Sequence, residues 1–193
     1  MSFSNDNPGP QVRSRKFLCA PFLTQLLVLL AFCSAGYSQT VSEYQLKAAY
    51  LYNFAKFVEW PADTFAGPNA PLRICVLGQN PFAGDLEQIT AGKSVNGRTI
   101  QVDHVQGVSQ ARTCHIVFVS AAKNDEVKRI LEGLRGASVL TVGDTKDFVA
   151  QGGIINLVLE DNRIRFEVNL KAATEGRLKI SAKLLSLARL VQV

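Results

Sequence analysis

Histidine, cysteine, methionine and tryptophan are scarce in this 193-residue chain, numbering two, four, one and one. That scarcity bears on metal and nucleophile chemistry first. Outside the leading segment the only cysteines and histidines are Cys75, His104, Cys114 and His115, and no C-x-x-C or H-E-x-x-H spacing links them. Zinc therefore fails on ligand count, and no metal or cofactor site is expected. Cys114 and His115 are adjacent, so on a strand they point to opposite faces and cannot serve as a nucleophile–base pair. G-x-S-x-G, P-loop and G-x-G-x-x-G sequences are all missing, which makes an enzyme the disfavoured class. Like-charge runs are also missing, so nucleic acid has little electrostatic hold. There is no internal repeat and no low-complexity tract, and the length suits one compact domain.

What is present begins with a leader. Arg13, Arg15 and Lys16 precede an uncharged apolar run from Phe17 to Gly36, which ends in the small residues Ser34-Ala35-Gly36. A basic flank, an apolar centre and small residues at the end are the parts of a cleaved secretory signal peptide, expected here over 1–37. The alternative is an uncleaved membrane anchor, which Pro21 and Gln25 weaken. Removing the leader takes Asp6 and the three basic residues with it, so a net charge of +5 for the whole chain becomes +3 for residues 38–193. Cys19 and Cys33 leave as well. In an oxidising compartment the remaining pair, Cys75 and Cys114, favours one disulfide, with two buried free thiols as the other possibility.

The exported part reads as α/β. Ser42-Glu43-Tyr44-Gln45 has capping-box spacing and opens a helix expected to run to Glu59, before Pro61. At 100° per residue its wide apolar arc holds Leu46, Ala48, Tyr50, Leu51, Phe54, Ala55, Phe57 and Val58. Gln45, Asn53, Lys56 and Glu59, with Tyr52 and Trp60 among them, form a narrow polar stripe. Strands are expected at 72–78, 99–105, 114–120 and 138–144, and helices at 82–90 and 122–136. A hairpin over 155–170 turns at Asp161-Asn162. The rest, from Asn169 to Val193, reads as helix broken near Gly176, with Ser181 capping a last helix that buries Leu184, Leu187, Ala188 and Val191. This order implies a single three-layer domain: a mostly parallel sheet with a late antiparallel hairpin and helices on both faces. Gly78 and Gly143 fall at strand carboxyl ends, where α/β folds bind ligands, though tight turns alone explain both. Asp144 and Asp147 read as solvated loop acids.

Two surfaces stand out. On the first helix Tyr52, Asn53, Lys56, Glu59 and Trp60 share one patch at spacings of three and four, and Trp and Tyr are frequent binding anchors. Near the C-terminus Lys171, Arg177, Lys179, Lys183 and Arg189 form a cationic set. Ordinary solvation is the competing explanation for each.

The stretch YQLKAAYLYNFAKFVEWP, Tyr44 to Pro61, resembles the opening signature of the YfiR family of exported bacterial proteins. The resemblance continues through RICVLGQNPF, CHIVFVS, LTVGDTKDFVAQGGIINLVLEDNRIRFEVNL and LKISAKLLSLAR. It implies a periplasmic repressor, not an enzyme, that binds the sensory domain of an inner-membrane diguanylate cyclase and lowers cyclic-di-GMP output and biofilm formation. It also implies a homodimer, sequestration by an outer-membrane lipoprotein, and a match of Cys75 and Cys114 to the family's cysteine pair. Some relatives carry a second pair further on, and this chain has no cysteine after Cys114. The opening signature supplies Asn53, Lys56, Glu59 and Trp60; the closing one supplies Asn169, Lys179, Ser181 and Lys183. These ends are expected to meet and form a partner or ligand surface. Similar domains fused to sensor kinases imply the alternative, a small-molecule-sensing module coupled to a histidine kinase.

Overall fold

The computed structural model describes Met1, residues 42–121 and residues 123–192. Apart from Met1, the predicted signal peptide lies outside these residues. The chain divides after Thr40, and the fold below is that of the second unit.

Helix α1 spans Glu43–Phe57, capped by Ser42, whose hydroxyl accepts from the Gln45 N–H at 3.0 Å. Strand β1 follows at Val58–Glu59, then β2 (Leu72–Gly78), α2 (Asp85–Thr90), β3 (Ser94–Val95), β4 (Arg98–Val105) and α3 (Val108–Ala111). The second half holds β5 (Ile116–Ser120), α4 (Asn124–Leu134), β6 (Leu140–Gly143), β7 (Ile155–Glu160) and β8 (Arg163–Val168). It ends with α5 (Leu170–Glu175), β9 (Lys179–Ile180), α6 (Ala182–Leu185) and β10 (Arg189–Leu190).

The main sheet has the order β10-β8-β7-β6-β5-β2-β4-β3. Strands β4, β2, β5, β6 and β7 are mutually parallel, and β8 returns antiparallel to β7. Alternation along the central strands feeds two cores. Ile74, Val76, Ile116, Phe118, Leu140 and Val142 face a core completed by Ala48, Leu51, Phe54 and Ala55 of α1 and by Leu86 of α2. Cys75, Leu77, Val117 and Val119 face a second core completed by Ala111 of α3 and by Val127, Leu131 and Leu134 of α4. The architecture is thus the expected α/β domain. At the hairpin Asp161 and Asn162 both adopt positive φ, 48° and 59°, and Glu160 pairs with Arg163. Such a turn matches the twist of the flanking strands, and Asp and Asn tolerate it.

A disulfide joins Cys75 to Cys114 in the second core, with α-carbons 6.1 Å apart. The bridge spans 39 residues, so it restricts the unfolded chain by about 4 kcal/mol in the loop-entropy account.

Four expectations are corrected. Helix α1 stops at Phe57 rather than Glu59, because Val58 and Glu59 extend to pair antiparallel with Ile180 and Lys179. Pro61 also disfavours helix at the residue before it. Helix α2 starts at Asp85 rather than Phe82, since Ala83 and Gly84 take positive φ. Leu46, placed in the apolar arc, is 40% exposed. In the tail, α5 and the Ser181 cap form as expected, but the last helix is a single turn flanked by strands. Arg177 turns with φ 58°, Leu178 buries, and the chain extends into β9 before the single turn of α6. Leu184 is buried as expected, whereas Leu187 is 72% exposed, because the chain departs to lay β10 parallel to β8. Tertiary pairing outweighs the local helical pattern at β9 and β10.

Candidate interaction surface

Helix α1 runs from the carboxyl edge of the parallel strands to their amino edge, and its two ends differ in chemistry. At the first end Lys47 is buried at 3% exposure. Its ammonium donates to Asp144 Oδ2 at 2.6 Å and pairs with Glu43 one turn earlier. The Tyr44 hydroxyl donates to the same Asp144 oxygen at 3.1 Å. Burial pushes the Lys47 pKa down, but the hydrogen bonds to Asp144 and Glu43 outweigh it and leave it raised, so the ammonium stays charged. Burial, together with the Asp144 charge, raises the Tyr44 phenol. Asp144, read from sequence as a solvated acid, is instead the anchor of a partly buried ion pair. Neighbouring glycines serve close packing. The Gly143 α-carbon lies against the Phe148 ring, where an added Cβ would sit 2.4 Å from ring carbons, and a Cβ on Gly78 would meet the Ser120 carbonyl oxygen at 2.4 Å.

At the other end Trp60 is half-buried. Its indole N–H donates to the His115 carbonyl at 3.0 Å, and its ring meets the His115 ring edge-on at 6.1 Å. Phe65 stacks on His115 at 4.2 Å. His115 Nδ1 accepts the Arg73 N–H at 3.0 Å, which makes the ring a neutral tautomer with its proton on Nε2. Burial, and after it the charges of Arg73 and Arg98, lower its pKa to about 4. Trp60 therefore serves partly as a structural lid over a neutral imidazole. As the alternation argument required, Cys114 and His115 belong to opposite faces, the cysteine lying in the second core.

The pairing of β1 with β9 brings the opening and closing segments together. Val58 lies opposite Ile180, Glu59 opposite Lys179, and the Ser181 N–H donates to the Phe57 carbonyl at 2.9 Å. Ser181 also caps α6, its hydroxyl accepting from the Leu184 N–H at 3.2 Å. On the solvent side the Lys56 ammonium sits 4.6 Å from the Tyr52 ring centroid, and that of Lys93 sits 4.5 Å from the same ring. The Phe57 ring is shared by Lys56 at 5.9 Å and Lys183 at 5.4 Å. Tyr52, Asn53, Lys56, Glu59, Lys179, Ser181 and Lys183 thus lie on or beside one junction, with Trp60 beneath its exit.

Asn169 does not join them. It is 3% exposed and caps α5, accepting from the Ala172 N–H at 3.0 Å and donating to the Val149 carbonyl at 3.2 Å. The cationic C-terminal set also disperses. Arg177 pairs with Asp63 at 2.9 Å, and Arg189 with Glu160 and Glu167 at 3.0 and 3.4 Å. Lys93 and Phe57 were not singled out as site residues from sequence. Lys93 comes from the turn before β3, and only the fold carries it to Tyr52.

Among the described residues no cluster of three or more His, Cys, Asp or Glu is placed to hold a metal ion, and no helix is long and apolar enough to cross a membrane. Fold and surface together define a disulfide-tied, three-layer α/β domain with a cationic aromatic junction. The chain belongs to the YfiR/HmsC-like family, whose model matches residues 44–189. The family's proteins are regulatory rather than catalytic, with a role as periplasmic regulators. Among solved structures, a conserved domain protein from Vibrio cholerae O1 biovar El Tor strain N16961 shares the fold, with a TM-score of 0.50 and 12% identity over 78% of this chain. The ABC domain in complex with L-Trp from Streptococcus pneumonia gives a TM-score of 0.43 and 12% identity over 62% of this chain. This chain spans 60% and 55% of the respective lengths of those two proteins.

Proposed function

We propose that this protein is an exported periplasmic repressor that binds the sensory domain of an inner-membrane diguanylate cyclase and holds its cyclic-di-GMP output low. Family membership over residues 44–189 carries the reading. The β1–β9 junction supports it by offering lysines and aromatic rings from both signatures on one exposed surface. The mechanism is a population shift: the bound repressor favours the inactive conformation of the sensory domain by its differential affinity for it. The resemblance further supports a homodimer and release of the cyclase when an outer-membrane lipoprotein sequesters the repressor.

Lys56→Glu combined with Lys183→Glu tests this in the native host. The expected result is derepression, read as raised cellular cyclic-di-GMP and biofilm mass to the level of a strain lacking the protein, with an unchanged circular dichroism spectrum. Full repression by the folded double variant would overturn the assignment of this surface. Unchanged cyclic-di-GMP on deleting the whole protein would overturn the functional reading itself.

A further inference from the structure

Three lysines of the junction differ from the ion-paired cations of the domain. Arg73, Arg177 and Arg189 each face a carboxylate, as Lys47 does. Lys56, Lys93 and Lys183 are exposed, come from three separate segments of the chain, and meet no carboxylate among the described residues. They converge instead on the faces of Tyr52 and Phe57. Two ammonium groups share one ring and two share the other, with Lys56 common to both. An aromatic face attracts a cation but leaves its charge uncompensated. Like charges gathered around shared rings repel one another, and an incoming anion relieves that repulsion while the rings limit side-chain motion.

We infer that Lys56, Lys93 and Lys183, seated on Tyr52 and Phe57, form a docking surface for a carboxylate-rich segment of a protein partner. The inference rests on the repressor reading above and names the chemistry of the partner's side. A protein is favoured over an anionic lipid surface by three observations. Glu59 is exposed at the edge of the patch, opposite Lys179, and would oppose a uniformly anionic plane. Three lysines fall short of the clusters of four to eight basic residues that hold proteins to anionic membranes. Tyr52 and Phe57 are half-buried beneath their lysines, so no ring projects to insert into a bilayer.

The probe is a decapeptide of glutamate, added to the leader-free protein while backbone amide NMR shifts are followed. Its control is a decaglutamine peptide. Shifts centred on Tyr52, Lys56, Phe57, Lys93 and Lys183, fading as salt is raised, are expected. The combined variant Lys56→Gln, Lys93→Gln, Lys183→Gln should weaken binding about tenfold or more, whereas Lys128→Gln with Lys146→Gln should leave it unchanged. Tyr52→Leu, which keeps every charge but removes the ring face, should weaken it about threefold. Overturning results are no binding, equal binding by the triple variant, or shifts spread over all exposed lysines. Shifts at the patch with phosphatidylglycerol vesicles and none with the peptide would replace the inference by a membrane contact. A cyclase unaffected by deletion of the protein would sink the repressor reading while leaving this peptide result standing, so the two failures are separable.

Discussion

The two ends of α1 carry the same residue types to opposite effect. At the first, Lys47 is buried, raised in pKa and neutralised by Asp144 and Glu43. At the second, Lys56 is exposed, set on two aromatic rings and joined by Lys93 and Lys183 without a carboxylate. A buried charge must be satisfied within the fold, so it fixes the helix to the sheet and is unavailable to a partner. An exposed charge left on an aromatic face costs the fold little and remains free to meet something else. The contrast separates residues that hold this domain together from residues that can act outward.

The strongest attempt to break that contrast is at the buried end. Lys47→Met keeps the length of the side chain and removes its charge, leaving Asp144 with only the Tyr44 hydroxyl as a side-chain donor. Urea unfolding at pH 7 should show a loss of about 3 kcal/mol. Adding Asp144→Leu should cost much less than the sum of the two single changes, because both partners then go together. Strict additivity would mean that the pair is not an anchor.

The next test uses the imidazole beneath the exit of α1. Folded His115 stays neutral until about pH 4, while an unfolded histidine titrates near its model value of 6.5. Between these values the unfolded chain binds the extra proton. Stability therefore falls as pH drops through that window, and the loss levels off below about 4. From pH 7 to pH 4.5 this one group should remove about 2 kcal/mol. His115→Asn, whose amide oxygen can accept the Arg73 N–H in place of Nδ1, should lose correspondingly less over the same range. Groups facing the ring include Arg73, Arg98, Trp60 and Phe65. Parallel pH profiles for the two proteins would contradict a buried neutral ring.

Between the two ends in size lies Ser181, which belongs to both accounts. Its hydroxyl caps α6 and its N–H ties the chain to Phe57. Ser181→Ala should cost about 1 kcal/mol, read as a lowered urea midpoint. Repression should survive once the protein is folded, since the hydroxyl is already committed to the cap.

Periodicity and turn chemistry are largely legible in the sequence, although Leu46 and Leu187, placed on apolar faces by the same periodicity, are exposed. The parallel strands, helix α4 and the Asp161-Asn162 hairpin are repeating or local signals. Pairings made over long separations were invisible. From the sequence Lys47 carries no signal and Asp144 reads as a loop acid, because they lie 97 residues apart. The β1–β9 pair is only two residues long on each side, too short to show alternation, and it overrode a helical pattern in the tail. The patch itself was half legible. Tyr52, Lys56 and Glu59 share a helix face by spacing alone, whereas Lys93 reaches Tyr52 only because α2, ending three residues before it, packs against α1. Asn169 was misassigned for the complementary reason: a polar residue flanking a predicted helix reads equally as a surface group or as a cap, and burial decides.

The smallest expected effect on stability is also the most informative. Replacing Lys56, Lys93 and Lys183 by Gln together should change the unfolding free energy by no more than about 0.5 kcal/mol, because each is exposed and none holds a carboxylate. Removing three mutually repelling charges can offset the lost cation–ring contacts, so the sign can favour the variant at low salt. If the variant is as stable as the parent yet fails to repress the cyclase, the open end of α1 acts outward while the closed end holds the fold. If it instead loses as much stability as Lys47→Met does, the lysine–ring contacts are structural. The distinction between the two ends would then disappear, and with it the physical basis for placing the partner at this junction.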